Sequence, residues 1–205
     1  MKVERIFCIG RNYAEHVAEM GAAPDTGCVV FMKPISAIVP AGEPIRLPRG
    51  RGAVHHEAEM VVLLTGGGVD VAVEDAMGCV AAITVGLDLT LRDLQSQLKA
   101  QAAPWELAKA FDGAAPLGDW RPYLDQDLQN LEFSLKVNGR LRQHGRTRNM
   151  IYSVARQIHI ISQTWALRPG DAIYTGTPSG VGPLQPGDVL ELQGTGLGRH
   201  GWTCE

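Results

Sequence analysis

The sequence predicts a strand-rich α+β chain rather than an alternating βαβ one. Short apolar runs follow one another between turn residues, in a chain of 205 residues that holds 24 glycines and 12 prolines. Asn138-Gly139, a strong hairpin signal, separates two of these runs. Only Met150–Leu167 carries a long helical periodicity, through Ile151, Val154, Ala155, Ile158, Ile161 and Trp165.

The elements follow in order. Val3–Gly10 reads as a strand. Asn12 is placed to cap a short helix over Tyr13–Met20, with Gly21 as its stop. Val29–Lys33 and Ala37–Val39 read as strands broken by Pro34 and Pro40. A basic turn, Arg49–Gly52, leads into a strand that carries Glu57 and Glu59 and runs through Val61–Leu64 until Gly66-Gly67-Gly68 closes it. Val73–Met77 suits a helical turn, Val80–Asp88 a second strongly apolar strand, and Leu89–Ala102 a helix. From Pro104 to Pro122 the chain reads as loop. Leu131–Val137 and Arg140–His144 form the predicted hairpin, and Pro169-Gly170 stops the long helix. Pro169-Gly170-Asp171 and Pro186-Gly187-Asp188 each read as a tight turn feeding a strand.

Composition bounds the function. With 45% hydrophobic and 20% charged residues the chain is an ordinary globular one, and its length suits a single domain over 1–205. A net charge of -3 gives no basic field for nucleic acid. No apolar run approaches the roughly 20 residues that span a bilayer. Met1–Cys8 lacks a signal-peptide core, so a cytoplasmic location is expected. Cys8, Cys28, Cys79 and Cys204 are scattered without a paired spacing and read as small hydrophobes in a reducing compartment.

Glu57 and Glu59 are the sharpest chemical signal. Residues i and i+2 of a strand share a face, so two carboxylates point together into an apolar segment. Like charges in a dry place repel unless a cation sits between them. An oxygen-only pair suits Mg2+, Mn2+ or Ca2+ rather than zinc. The competing reading is a solvated edge strand. Asp88, at the end of the second apolar strand, is either a third ligand or the N-cap of the following helix. His16 and Glu19 share a helix face, where a carboxylate can orient a histidine base; spacing alone favours two exposed polar residues. Lys33 and Lys109 sit among apolar neighbours and either pair with an anion or reach out to solvent, the commoner outcome. The turn Gly176–Gly182, with Thr177, lacks any phosphate-loop pattern; its N–H groups could hold a carboxylate, although a plain tight connection is the simpler reading. His55 and His56 lack zinc spacing and read as supporting residues.

Together Gly10–Met20, Phe31–Pro34, His55–Glu59, Leu87–Asp93, Pro104–Asp112 and Gly176–Pro183 resemble the fumarylacetoacetate hydrolase superfamily, closest to its small single-domain acylpyruvase and oxaloacetate decarboxylase branch. The resemblance runs from Cys8 to about Leu192. It implies a mixed β-roll with short peripheral helices, like the C-terminal domain of fumarylacetoacetase, in a homodimer. It implies that Glu57, Glu59 and Asp88 bind Mg2+ or Mn2+, with Ca2+ possible in a crystal. His16 and Glu19 become a catalytic dyad on a lid, with Lys109 beside them. Arg11, Lys33, Arg92, Gln95 and Thr177 match substrate-contacting positions.

The expected substrate is a small 2-oxo acid. The first expectation is hydrolysis of an acylpyruvate such as fumarylpyruvate to pyruvate and a carboxylic acid. The alternatives are oxaloacetate decarboxylation and isomerisation or decarboxylation of 2-hydroxyhepta-2,4-diene-1,7-dioate in aromatic catabolism. Non-enzymatic readings are a module that binds a cation and an organic acid, and a structural Ca2+ site. Two departures stand out: Gly145–Met150 is more basic than expected of relatives, and Gly198–Glu205 does not match the family's usual last strand.

Overall fold

Glu59 and Gly86 face each other across the middle of the molecule, where Ala58–Leu64 pairs antiparallel with Val80–Leu87. The two runs are largely apolar and are buried on both faces, as sheet strands covered on each side require. The computed structural model describes residues 2–21 and 27–205; Met1 and residues 22–26 lie outside the described residues.

Among the described residues the main sheet has eight strands. Val29–Lys33, Arg5–Gly10, Asp171–Tyr174, Ala58–Leu64, Val80–Leu87, Ala115–Leu117 and Ile38–Pro40 lie in that order, and Arg121–Pro122 pairs with Val80–Leu87. A second sheet orders Arg140–Arg146, Glu132–Val137, Val189–Gly194 and Gly198–Thr203, and a small third one joins Gly182–Pro183, Val54–His56 and Thr90–Leu91. Sheet connections are mixed, and helices are short and peripheral, as the α+β reading with a curled mixed sheet expects. Arg5–Gly10 and Asp171–Tyr174 run parallel, locked by a two-point ion pair: Arg5 Nε donates to Asp171 Oδ1 at 2.7 Å and Arg5 Nη2 to Oδ2 at 2.6 Å.

The Asn138-Gly139 hairpin forms with both residues at positive φ, 52° and 75°, as its tight turn requires. Other boundaries moved for identifiable reasons. The helix foreseen from Leu89 begins at Arg92, because Thr90 and Leu91 pair with His55 and Val54. Met150–Leu167 shortens to Val154–Ser162; Ser153 Oγ caps it by accepting from Arg156 N at 3.2 Å. Trp165, beyond the helix, packs on Phe7 with ring centroids 5.4 Å apart. The predicted loop 104–122 holds a short helix, Glu106–Lys109, and two short strands.

The C-terminal segment is a correction. Gly198–Thr203 is a regular strand paired along Val189–Gly194, and Trp202 Nε1 donates to Pro40 O at 3.0 Å. Its glycines hid the alternation that a strand usually shows. The described cysteines are all free, and among the described residues no helix is long and apolar enough to cross a membrane.

Candidate active site

Glu57, Glu59 and Asp88 converge, with ligand oxygens all within 4.8 Å of one another, and each side chain is buried. Local structure sets this up in three ways. Glu57 falls at a break between Val54–His56 and Ala58–Leu64, so it is not simply the next residue but one on a regular strand. Glu57 O accepts from Asp88 N at 2.8 Å, which holds the two acids' backbones together. Opposite Glu59, Gly86 leaves room that no side chain could: a Cβ there would lie 2.8 Å from Pro116 O. Asp88 is not a helix cap, since the helix starts at Arg92.

A cluster of cations surrounds the acids. Lys109 Nζ donates to Glu57 Oε2 at 2.8 Å and to Asp88 Oδ2 at 2.7 Å. Arg92 pairs with Glu57 and donates to Gln95 Oε1 at 2.7 Å. Lys33 Nζ lies 2.8 Å from Asp88 Oδ1, donates to Leu89 O at 3.2 Å and also bonds Lys109 O. Lys33 and Lys109 are therefore buried and paired rather than reaching solvent. Burial alone would raise Glu57, but the charges of Lys109, Arg92 and His16 outweigh it and hold this carboxyl far below its ordinary value. Glu59 behaves in the opposite way. Burial first, then the charges of Asp88 and Glu57, pushes it well up. Burial would lower Lys109, yet Asp88 and Glu57 raise it above its ordinary value.

The residues present fit a divalent cation. The donor set is carboxylate only, as hard ions prefer. Asp88 Oδ1, although buried and near Lys33, receives no well-directed hydrogen bond. Gly176 N donates to Glu59 Oε2 at 2.8 Å. A cation among the three acids relieves the repulsion that burdens Glu59.

The acids lie at a cleft. Arg11, His16, Arg92, Gln95, Lys109 and Thr177 line it, and so do Lys99 and Trp105. Lys33 does not line it; its ammonium braces Asp88 from behind.

His16 sits on the Ala14–Glu19 helix, and its Nδ1 lies 3.2 Å from Glu19 Oε2. Asn12 does not cap this helix. Its side chain instead donates to Thr175 O at 2.7 Å and accepts from Tyr152 N at 2.7 Å, tying the helix start to two distant segments. His16 is buried, whereas spacing alone suggested an exposed face.

The Gly176–Gly182 turn serves both groups. Gly176 N donates to Glu59 and Gly180 N to Glu19 Oε1 at 3.1 Å. The carboxylates it holds are the protein's own. Gly176 needs its lack of side chain, with φ 101° and a hypothetical Cβ 2.5 Å from Asn12 Cβ. Thr177 Oγ1 donates to Ala58 O at 2.9 Å and accepts from Gln143 Nε2 at 2.8 Å. Gln143 escaped the sequence reading; its Oε1 also accepts from Ala58 N at 2.9 Å and meets His56 Nδ1 at 2.9 Å. Inward alternation along Arg140–Arg146 was the signal that could have found it.

A sequence profile described as "Fumarylacetoacetate (FAA) hydrolase C-terminal" matches residues 5–203. Oxaloacetate tautomerase YcgM of Escherichia coli (strain K12) is 42% identical over 192 residues, spanning 93% of this chain and 88% of that protein. The mitochondrial oxaloacetate decarboxylase of Dictyostelium discoideum is 39% identical over 195 residues, 94% of this chain and 89% of that protein. Fumarylpyruvate hydrolase from Pseudomonas aeruginosa, solved in complex with Mn2+ and pyruvate, superposes with a TM-score of 0.94 at 38% identity, covering 98% of this chain and 89% of its own. Matches of this extent and identity leave one lineage: the chain belongs to the fumarylacetoacetate hydrolase family, as an enzyme of the small single-domain branch that includes the oxaloacetate tautomerase and decarboxylase relatives.

Proposed function

We propose that this enzyme moves a proton at C3 of oxaloacetate, interconverting its keto and enol forms, in a site loaded with Mg2+ or Mn2+. The observation that carries this reading is His16, buried in the same cleft as the three acids, with its Nδ1 3.2 Å from Glu19 Oε2 at the exposed side of the helix. Proton transfer needs a base, an orienting group and a stabilised oxygen, and nothing more. The named relatives favour oxaloacetate over the acylpyruvates that the sequence reading put first.

Glu57, Glu59 and Asp88 would hold the cation, which supplies Lewis-acid polarisation of the 2-oxo group when bound. Glu19 accepts the Nδ1 proton of His16 and leaves Nε2 as the base. In the keto-to-enol direction His16 takes the C3 proton. The C–H electron pair becomes the C2–C3 double bond, and the carbonyl pair moves onto the 2-oxygen. The His16 imidazolium then gives up its proton and the 2-oxygen gains one, by exchange through solvent, so the enol forms, the base is restored and atoms and charge balance. Arg92 and Arg11 supply positive charge for substrate carboxylates. Thr177 shapes the floor through its backbone, since its hydroxyl hydrogen is committed to Ala58 O. Lys33 fixes Asp88. We further propose the homodimer that the family resemblance implies.

A second reading, hydrolysis of acylpyruvates, draws on the Pseudomonas aeruginosa neighbour with its Mn2+ and pyruvate. The same His16–Glu19 pair would then activate water. The deciding experiment follows the ultraviolet absorbance of enol-oxaloacetate with Mg2+ or Mn2+, with pyruvate release recorded in parallel and fumarylpyruvate as a second substrate. Faster keto–enol equilibration than in protein-free buffer supports the proposal. Unchanged equilibration together with fumarylpyruvate cleavage replaces it with the hydrolase reading.

A further inference from the structure

Arg92, Gln95 and Lys99 occupy i, i+3 and i+7 of the Arg92–Ala100 helix and so share one face, and all three line the cleft. Arg92 pairs with Glu57 and donates to Gln95 Oε1. Among the described residues no carboxylate lies within ion-pair distance of Lys99, and its ammonium rests 4.9 Å from the centroid of the Trp105 ring.

That contact continues inward. Trp105 packs against Phe31 at 6.1 Å between centroids, and Lys109 Nζ lies 5.1 Å from the centroid of the Phe31 ring. A cation at the floor and a cation nearer the helix end are thus joined by two aromatic rings along one wall. The floor cation already has its acids. Among the described residues the outer one is held by a ring face, which attracts a cation weakly compared with a carboxylate.

We infer that Lys99, positioned on Trp105, is a specificity-determining residue that binds the second carboxylate of a dicarboxylic 2-oxo acid while the 2-oxo acid end lies over Glu57, Glu59 and Asp88. This rests on the oxaloacetate reading and adds to it a reason for preferring a dianion over a monoanion such as pyruvate. Arg92 and Lys99 are separated by about 10 Å along the helix axis, and the long lysine stem lets the charge swing inward to meet a short substrate. The neighbouring positive charge supports the assignment: burial, then Arg11, Arg92 and Lys109, lowers Lys99 to about 8, a strain that a bound anion removes.

The test compares the parent with Lys99→Gln and Lys99→Arg in saturating Mg2+. Binding of oxaloacetate and of pyruvate is read by tryptophan fluorescence, and oxaloacetate turnover is recorded separately. Lys99→Gln is expected to weaken oxaloacetate about tenfold or more, the range of a lost charge-assisted hydrogen bond, with pyruvate unchanged and Lys99→Arg close to the parent. Equal weakening of both acids, or no change in either, overturns the assignment. If the parent binds oxaloacetate with this Lys99 dependence but does not turn it over, the proposed reaction falls and the subsite stands. If the parent binds no oxaloacetate at all, both fall.

Discussion

Lys109 Nζ stands 2.8 Å from Glu57 Oε2, and the same ammonium reaches Asp88 Oδ2 at 2.7 Å. One buried cation thus neutralises two of three clustered acids. Its removal leaves those carboxylates with too little compensating charge in a dry place, a loss of about 3–5 kcal/mol by analogy with other broken buried pairs. Lys109→Met should therefore unfold at lower denaturant than the parent. Added Mn2+ should recover more stability in the variant than in the parent, since the cation then compensates acids that Lys109 no longer serves. Denaturant titrations with and without Mn2+ check both points; equal midpoints for the two proteins would remove Lys109 from this role.

His16 and Glu19 should separate chemistry from metal binding. Neither belongs to the acid triad, so His16→Ala is expected to bind Mn2+ as the parent does. Turnover should fall about 10²–10⁴-fold, the usual contribution of a positioned general base. Glu19→Gln keeps a hydrogen-bond acceptor near Nδ1 but loses the charge that steadies the protonated ring, so its loss should be smaller. Calorimetric Mn2+ binding and oxaloacetate kinetics on the same preparations read the two effects apart. A His16→Ala protein with parental kcat would show that the pair does not act in the reaction.

The acids were legible because Val61–Leu64 marked their segment as buried; the strand spacing that suggested a shared direction is interrupted at Glu57, and it is the Asp88 N to Glu57 O bond that brings the acids together. The cation partners were not. Lys33 and Lys109 have sequence neighbourhoods that suit a solvent-reaching stem equally well. Only the approach of Phe31, Leu89 and the Glu106–Lys109 helix around Asp88 decides against it. Gln143 was hidden for a related reason: its partners His56, Ala58, Thr177 and Pro178 are all more than thirty residues away. The shortened helices share one cause, since Thr90-Leu91 and Ser153 answer to pairing and capping that hydrophobic periodicity does not report.

Gln143 is expected to matter to both fold and site without touching substrate. It accepts from Ala58 N and donates to Thr177 Oγ1 and Pro178 O, bridging the backbone between the two glutamates to the glycine-rich turn. Gln143→Leu keeps the bulk but leaves these buried groups unpaired, at about 1–3 kcal/mol for each such group. Beyond lost stability, kcat should fall more than the affinity for pyruvate, because Gly176 and Gly180 of the same turn support Glu59 and Glu19. Gln143→Glu offers the acceptor but not the amide donor and should recover only part of the stability. A variant whose activity loss tracks its unfolded fraction alone would limit Gln143 to a structural role.

The pH dependence of substrate affinity should report Lys99. Its ammonium is lowered to about 8 by burial and by Arg11, Arg92 and Lys109, with Glu57 opposing them. Trp105 faces it without titrating. Below about pH 8 the free enzyme carries the charge, and a dianionic substrate meets a cation. As pH rises through that value the charge is lost, so KM for oxaloacetate should climb while pyruvate inhibition holds steady. Bound dianion favours the protonated amine, so the step belongs to the free enzyme and should show in kcat/KM at lower pH than in kcat. Lys99→Arg, whose side chain stays charged over this range, should flatten the step in KM. If Lys99→Arg retains the parental pH profile, the step belongs to another group and Lys99 does not set the affinity for the dianion.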